Sequence, residues 1–196
     1  MDQEHIYDLI IIGAGPAGLS AGIYAGRATL DTLILEADTV GGQVTTTSIV
    51  YNYPAAPAID GTKLANQMQK QAADFGVTIK RDGVQEVQLD GEIKVITTKS
   101  GHQYQARSVV VATGAHPRKV GFKGEDEFRG RGVAYCSTCD GELFSGLQVF
   151  VVGGGYAAAE EADYLTRYAK HVTVLVRGDH FSCPPLTASR ALDNPK

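Results

Sequence analysis

Twice in this chain, about 140 residues apart, a short apolar run meets a glycine loop and then an alanine-rich stretch. The first occurrence runs from residues 8–12 (Asp-Leu-Ile-Ile-Ile) through Gly13-Ala14-Gly15-Pro16-Ala17-Gly18, with Pro16 to Arg27 helical and Thr32 to Leu35 apolar again. The second runs from Val149–Val152 through Gly153-Gly154-Gly155-Tyr156-Ala157-Ala158, with a helix over roughly 156–170 and then Val172–Val176. Strand, glycine turn, helix and strand in that order make a βαβ unit, whose two parallel strands lie in one sheet under the crossing helix. Two such units predict an α/β fold with two Rossmann-like, three-layer nucleotide-binding domains, meeting at a boundary near His116-Pro117. They imply two nucleotide ligands, or one ligand and an inherited scaffold.

Between the units, Leu64, Met68, Ala72 and Phe75 recur at helical spacing over Thr62 to Phe75, and Gly76 supplies the stop. Residues 84–106 change period. Val84–Leu89, Ile93–Thr98 and Gln103–Ala106 read as strands separated by Asp90-Gly91 and Ser100-Gly101 turns, a three-stranded antiparallel insertion in the first domain. Ser108 to Ala112 then reads as a return to a buried parallel strand.

Composition narrows the partners. A net charge of -4 on 196 residues offers no broad basic surface for nucleic acid or anionic lipid. No run of about 18 apolar residues is long enough to span a membrane, and the acidic Met-Asp-Gln-Glu-His start is the reverse of a signal peptide. Five histidines are scattered without metal-ligand spacing, so no metal is expected. Three cysteines, two of them in one C-x-x-C, do not form a disulfide framework, and a reducing cytoplasm is the expected setting.

The first glycine loop fits G-x-G-x-x-G. Gly13 permits the tight turn, Gly15 lets the backbone approach a pyrophosphate, and Gly18 lets the helix pack on the strand. Pro16 and Ala17 open the helix whose N-terminus faces the anion. Glu36, about 23 residues beyond Gly13, stands where a carboxylate accepts ribose hydroxyls. A bare glycine turn in an unrelated α/β protein would not bring strand, helix and acid together at that spacing, so dinucleotide binding is the expectation.

In Tyr135-Cys136-Ser137-Thr138-Cys139-Asp140-Gly141 two residues separate the cysteines, which lets the sulfurs close a small ring and cycle between dithiol and disulfide. Half a zinc site would need two more ligands, and Cys183 stands alone. Asp140 either moves the proton that thiol exchange requires or caps a turn.

Gly41-Gly42-Gln43-Val44-Thr45-Thr46-Thr47, Asn52-Tyr53-Pro54, Ala112-Thr113-Gly114 and the Cys-x-x-Cys-Asp follow the first loop in an order that resembles the low-molecular-weight thioredoxin reductases, FAD-dependent members of the pyridine nucleotide-disulfide oxidoreductases. The likeness runs from about Leu9 to Phe181. It implies FAD on the first loop, with Gly42, Gln43 and Asn52 near the isoalloxazine and Thr113 and Gly114 near the adenine half. It also implies that Cys139 faces the flavin, that Cys136 attacks the disulfide of thioredoxin or a thioredoxin-like protein, and that Asp140 handles the proton. A homodimer goes with it. Without the resemblance, the threonine run reads as a solvated loop or an edge strand.

The likeness weakens at the second loop. Gly153, Gly155 and Ala158 fit G-x-G-x-x-A, but the residue corresponding to Glu36 is Val176, which accepts no hydroxyl. NADPH-dependent members carry His-Arg-Arg and a further arginine. Here stand Val176-Arg177-Gly178 and Ser182, so Arg177 is a lone phosphate contact or a plain surface residue. The pattern equally resembles the ferredoxin-dependent branch, which does not use pyridine nucleotide, leaving NADPH, NADH and ferredoxin open as electron donors. Cys183 reads as a bystander. Relatives complete the FAD domain with a C-terminal segment that includes a Gly-Asp motif, whereas this sequence stops at Asn194-Pro195-Lys196. A chain ending there is expected to leave the flavin site open and to be inactive alone. The competing reading is a non-catalytic, flavin-binding redox sensor, against which Asp140 argues, since a sensor needs no proton donor beside its cysteines.

Overall fold

A computed structural model describes residues 5–56 and 58–196. Most of the acidic start, Met1 to Glu4, lies outside the described residues. The chain divides into two units, one ending at His116 and the other Pro117–Lys196.

In the first unit, β1 (Ile6–Ile12), α1 (Pro16–Arg27) and β2 (Thr32–Glu36) are followed by α2 (Gly61–Asp74), β3 (Thr78–Arg81), β4 (Val84–Gln88), β5 (Lys94–Thr98) and β6 (Gln103–Val111). Among the described residues these strands form one sheet in the order β3-β2-β1-β6-β5-β4. It is parallel from β3 to β6 and antiparallel beyond. The alternation of side chains along β1 and β2 makes two cores. Leu9, Ile11 and Ile34 pack with Leu19 and Ala25 of α1 and Leu64, Met68 and Ala72 of α2. Ile10, Ile12, Leu33 and Leu35 point the other way and meet Ile96 and Ala106 from the antiparallel strands. The three layers are thus helices, parallel sheet and antiparallel strands. Each fully buried isoleucine or leucine contributes about 1.5–3 kcal/mol.

The helices have local reasons for their limits. Pro16 suits the first turn of α1, where its missing N–H costs nothing. Asp60 caps α2 by accepting from the Lys63 N–H at 2.8 Å, and Gly76, at φ +83°, closes the other end.

One expectation for this unit needs correction, and one strand went unforeseen. The third strand of the insertion and the returning parallel strand are one strand, β6, which pairs with β5 through Gln103–Ala106 and with β1 through Gln105–Val111. The polar Arg107-Ser108 step reads as a break, but Arg107 only points outward, 3.9 Å from Asp8. Strand β3 was not expected. Its Thr-Ile-Lys-Arg sequence is short and largely exposed, as befits a charged edge.

The second unit contains α3 (Ser137–Asp140), β7 (Gln148–Val152), α4 (Tyr156–Leu165), β8 (His171–Leu175) and α5 (Pro185–Leu192). Strands β7 and β8 pair in parallel, with Val149 opposite Val172. Helix α4 ends at Leu165 and not near residue 170. The N–H groups of Thr166, Arg167 and Tyr168 bond three residues back, and the Thr166 hydroxyl folds onto the Asp163 carbonyl at 2.6 Å, which winds up the last turn. Among the described residues, no helix is long and apolar enough to cross a membrane.

Candidate functional site

At the C-terminal ends of β1, β2 and β6 the first unit gathers most of its expected site residues. Gly13 adopts φ +106°, and a Cβ there would sit 2.3 Å from the Ala112 carbonyl and 3.2 Å from the Thr113 Cα. Gly18 is equally constrained, because its Cβ would fall 1.9 Å from the Gly13 oxygen. Gly15 differs. A Cβ there would meet nothing nearer than the Gly41 oxygen at 4.0 Å, so the loop opens onto free space beside the start of α1, where Pro16 and Ala17 lie. That opening is the shape a pyrophosphate needs.

Gly41 donates its N–H to the Ala14 carbonyl at 2.8 Å, and Gly42–Thr46 forms a single turn of 3-10 helix. The threonine run is therefore neither an edge strand nor a free loop. Its Thr45 carbonyl accepts from Thr62, and Val44 packs so tightly on Gly61 that a Cβ there would lie 1.9 Å from the Val44 oxygen. Gln43 reaches the segment after β6, donating to the Ala115 carbonyl at 3.1 Å and lying 2.6 Å from His116 Nδ1. Thr113 and Gly114 (φ +68°) are exposed beside Gly13. Asn52 lies exposed on the loop after Val50, which pairs with Ile59. Among the described contacts none ties it to this cluster.

Glu36 ends β2, but its present partners are backbone groups. One carboxylate oxygen accepts from the Ala14 N–H at 2.6 Å, the other from the Asp38 N–H at 2.9 Å. A carboxylate has about four acceptor positions, so these two bonds anchor it at the loop and leave capacity for hydroxyl donors. The residues fit the adenosine and pyrophosphate of a dinucleotide such as FAD.

The second loop is built alike up to its rim. Gly153, at φ +140°, donates to the Leu175 carbonyl at 3.0 Å, and Gly155 has open space around it. A Cβ on Gly153 would lie 3.4 Å from that of Ala158. Where a ribose-binding acid would stand, the Val176 side chain covers Gly154, close enough that a Cβ there would lie 2.9 Å from it. Ser182 donates both its N–H (2.7 Å) and its hydroxyl (3.2 Å) to the Gly154 carbonyl, and Arg177 is exposed.

Cys136 and Cys139 are joined in a disulfide with their Cα atoms 5.3 Å apart. The cysteines thus satisfy each other, and Cys183 is free and half-buried. Cys136 precedes the first residue of α3 and stays extended, while the Asp140 N–H returns to its carbonyl at 3.0 Å and closes the turn. The Thr138 hydroxyl lies 3.3 Å from the Cys136 sulfur, which has no proton to give while oxidised, so the hydroxyl donates. Asp140 is half-buried, and burial pushes its carboxyl above the usual range. That suits a proton donor better than a cap, since its side chain caps nothing here.

Two acids of this site were not legible in the sequence. Glu125 is only 4% exposed and accepts from the N–H groups of Val120 (3.0 Å) and Gly121 (2.6 Å) and from the Tyr135 hydroxyl (2.8 Å). The backbone bond from Val120 leads in holding its carboxyl below the usual range against burial. Tyr135, pushed up mainly by burial and also by that bond, also lies under the Arg129 guanidinium, and it leads straight into Cys136. Glu125 stands among Asp126 and Glu127, and nothing in such a charge run marks one acid as buried. The second is Glu161, whose carboxylate accepts from the Ser137 N–H. Its spacing was a usable signal: it lies three residues after Ala158 and four before Leu165, on the flank of the buried face of α4, whereas Glu160 is exposed.

Comparison with known proteins adds a second line. Residues 7–192 match the model of the family described as pyridine nucleotide-disulphide oxidoreductase. The chain is 45% identical to the thioredoxin reductase of Peptoclostridium acidaminophilum, over 99% of this chain and 62% of that protein. It is 44% identical to the thioredoxin reductase of Bacillus subtilis, over 100% of this chain and 62% of that protein. The crystal structure of thioredoxin reductase from Streptococcus pyogenes superposes with a TM-score of 0.93 at 40% identity, covering 99% of this chain and 63% of that one. The chain therefore spans somewhat over three fifths of the length of these relatives.

Proposed function

The chain belongs to the pyridine nucleotide-disulphide oxidoreductase family, and from that premise we propose that it carries the FAD-binding and dithiol parts of an enzyme that reduces the disulfide of thioredoxin or a similar small protein. The observation that supports this most directly is the Cys136–Cys139 disulfide, followed by an acid whose burial favours its protonated form. Agreement with relatives called thioredoxin reductases supports the substrate class. A homodimer working in the cytoplasm belongs to the same reading.

In this reading Gly15 leaves room for the pyrophosphate, Glu36 offers its remaining lone pairs to the ribose, and Thr113 and Gly114 flank the adenine half. Gly42, Gln43 and Asn52 would border the isoalloxazine. When bound, FAD would supply two-electron transfer between the donor and the Cys136–Cys139 disulfide, and Cys139 would be the sulfur to receive it. In the dithiol form the Cys136 thiolate attacks one sulfur of the substrate disulfide, forming a mixed disulfide and expelling a thiolate that takes the Asp140 proton. Cys139 then attacks the Cys136 sulfur, which releases the second substrate thiol and restores the disulfide seen here.

Asp140 gives a test with opposite signs. Its carboxyl is raised in the folded chain, so its contribution to stability is present below the ordinary carboxylate range and lost as pH rises through the raised value. Asp140→Asn is therefore expected to melt higher than the native protein near neutral pH, with the gap closing on acidification, while thioredoxin turnover falls about a hundredfold or more. Melting curves and turnover on one preparation check both, and an unchanged turnover would remove Asp140 from proton transfer.

The donor site carries a second test. With Val176 on Gly154 and Arg177 as the one arginine of the motif, we expect NADPH to bind weakly. Gly178 has open space around it, so Val176→His, Gly178→Arg and Ser182→Arg can rebuild a phosphate clamp, with the Ser182 backbone bond to Gly154 retained. Charged contacts of about 1.5–3 kcal/mol each predict at least tenfold tighter NADPH binding, fading at high salt. Anaerobic titration with NADPH, NADH and reduced ferredoxin reads it out. Tight NADPH binding by the native protein would contradict the weak-site reading, whereas bleaching by ferredoxin alone would make ferredoxin the donor.

A further inference from the structure

We propose that Glu161 is a positioning residue of the redox pair: its carboxylate pins the turn that carries Cys136 and Cys139, and its charge keeps that pair reducing. The inference rests on the dithiol chemistry proposed above. Helix α3 is a single turn, too short to hold itself, and the first N–H groups of any helix lack internal partners. Ser137 is 7% exposed, so its N–H, one bond from the Cys136 carbonyl carbon, needs a partner from outside the turn. Glu161 provides it from α4. The far end of the turn is closed by its own bonds, Asp140 N–H to the Cys136 carbonyl and Gly141 N–H to the Ser137 carbonyl, and packs against the end of α4, where a Cβ on Gly141 would lie 3.2 Å from the Tyr168 ring.

The partner is an anion, and that has a chemical consequence. A helix start with free N–H groups favours a thiolate on its leading cysteine. A carboxylate on the first of those groups opposes ionisation, leaves the reduced state less stabilised and so makes the pair a stronger reductant. Other titratable groups on the elements packed here are Asp140 and Glu142 at and after the cysteines, Tyr156, Asp163 and Tyr164 on α4, and Arg167 and Tyr168 just beyond it, with Glu160 turned outward. None of the described bonds brings these to the Ser137 N–H. The same helix begins at the second glycine loop, so the position of the redox turn is tied to that loop through α4.

Glu161→Gln separates the two roles, since an amide oxygen still accepts the bond but carries no charge. In the full chain, equilibration with dithiothreitol passes two electrons and two protons from its dithiol to the Cys136–Cys139 disulfide, leaving dithiothreitol as its cyclic disulfide. Glu161→Gln is expected to shift this equilibrium about three- to tenfold toward the protein dithiol while keeping the Ser137 amide protected from hydrogen exchange. Glu161→Ala is expected to lose that protection by about tenfold or more. Should Glu161→Ala not fold, Ser137→Pro removes the donor instead, at a first helical position that accepts proline after an extended residue. In that background adding Glu161→Gln should shift the dithiothreitol equilibrium less than it does in the native chain, because the bond that holds the charge at the turn is already gone. Native protection in Glu161→Ala, an equal shift by Glu161→Gln with and without Ser137→Pro, or an unmoved equilibrium in Glu161→Gln would overturn the proposal. Neither flavin nor thioredoxin enters these measurements. A native protein that fails to reduce thioredoxin would therefore end the functional reading and leave this inference to its own test.

Discussion

Cys136→Ser and Cys139→Ser are each expected to abolish thioredoxin reduction, to below about a thousandth of the native rate, while the purified protein stays yellow. The size of the effect follows from the chemistry, since a serine oxygen neither forms the mixed disulfide nor closes the Cys136–Cys139 ring. Flavin retention follows from the architecture. The two cysteines lie in the second unit, whereas Gly13–Gly18, Glu36 and the Gly41–Gln43 segment lie in the first. The two variants should also differ. Cys136→Ser leaves a thiol at the exposed Cys139, and Cys139→Ser leaves one at the half-buried Cys136. Only the latter should accumulate a stable mixed disulfide with a thioredoxin lacking its own resolving cysteine. Cys183→Ser should leave turnover within about twofold, because this residue lies outside the Cys136–Asp140 turn. Turnover retained in either Cys136→Ser or Cys139→Ser would remove the pair from the mechanism.

Much of this site was legible in the chain because its signals are local. A glycine loop between an apolar run and an alanine-rich helix fixes a backbone path, and Pro16–Arg27 came out residue for residue. The cysteine ring follows from a two-residue spacing and needs no tertiary context. What escaped depends on neighbours distant in sequence. Edge strand β3 exists because β2 offers it a ladder, not because Thr-Ile-Lys-Arg asks for one. Glu36 could be placed at the loop from spacing alone, but its bonds to the Ala14 and Asp38 N–H groups could not. Glu125 and Glu161 are acids whose partners are backbone N–H groups, which every residue but proline possesses, so no residue type announces the pairing. The second loop shows the limit from the other side. Its glycines match the first loop, yet the Val176 side chain and the Ser182 bonds at Gly154 set its rim apart.

Gly15→Val is expected to yield folded protein without FAD. The three glycines of the first loop look interchangeable in a motif, and the space around them says otherwise. A side chain on Gly18 would drive its Cβ to 1.9 Å from the Gly13 oxygen, and one on Gly13 would strike the Ala112 carbonyl at 2.3 Å in a backbone conformation that valine does not adopt. Substitution at either should break the loop and the β1–α1 packing with it. Gly15 sits at φ -75° and ψ -178°, an extended conformation comfortable for valine, with only the Gly41 oxygen at 4.0 Å. The valine would fill the space into which the pyrophosphate must come and hold it off the N-terminal amides of α1. Losing two charge-assisted bonds of about 1.5–3 kcal/mol each weakens FAD binding by on the order of a hundredfold or more. The fold should lose no more than about 1 kcal/mol for valine in place of glycine at the helix cap. The comparison must be made between apoproteins, because bound FAD would itself raise the native melting point. Gly15→Val should then melt within a few degrees of native apoprotein, and Gly18→Val far below it. If Gly15→Val binds flavin stoichiometrically, FAD does not lie on this loop and the order of the two nucleotide sites must be reversed. If it unfolds like Gly18→Val, the open space at Gly15 is not the reason that residue is glycine.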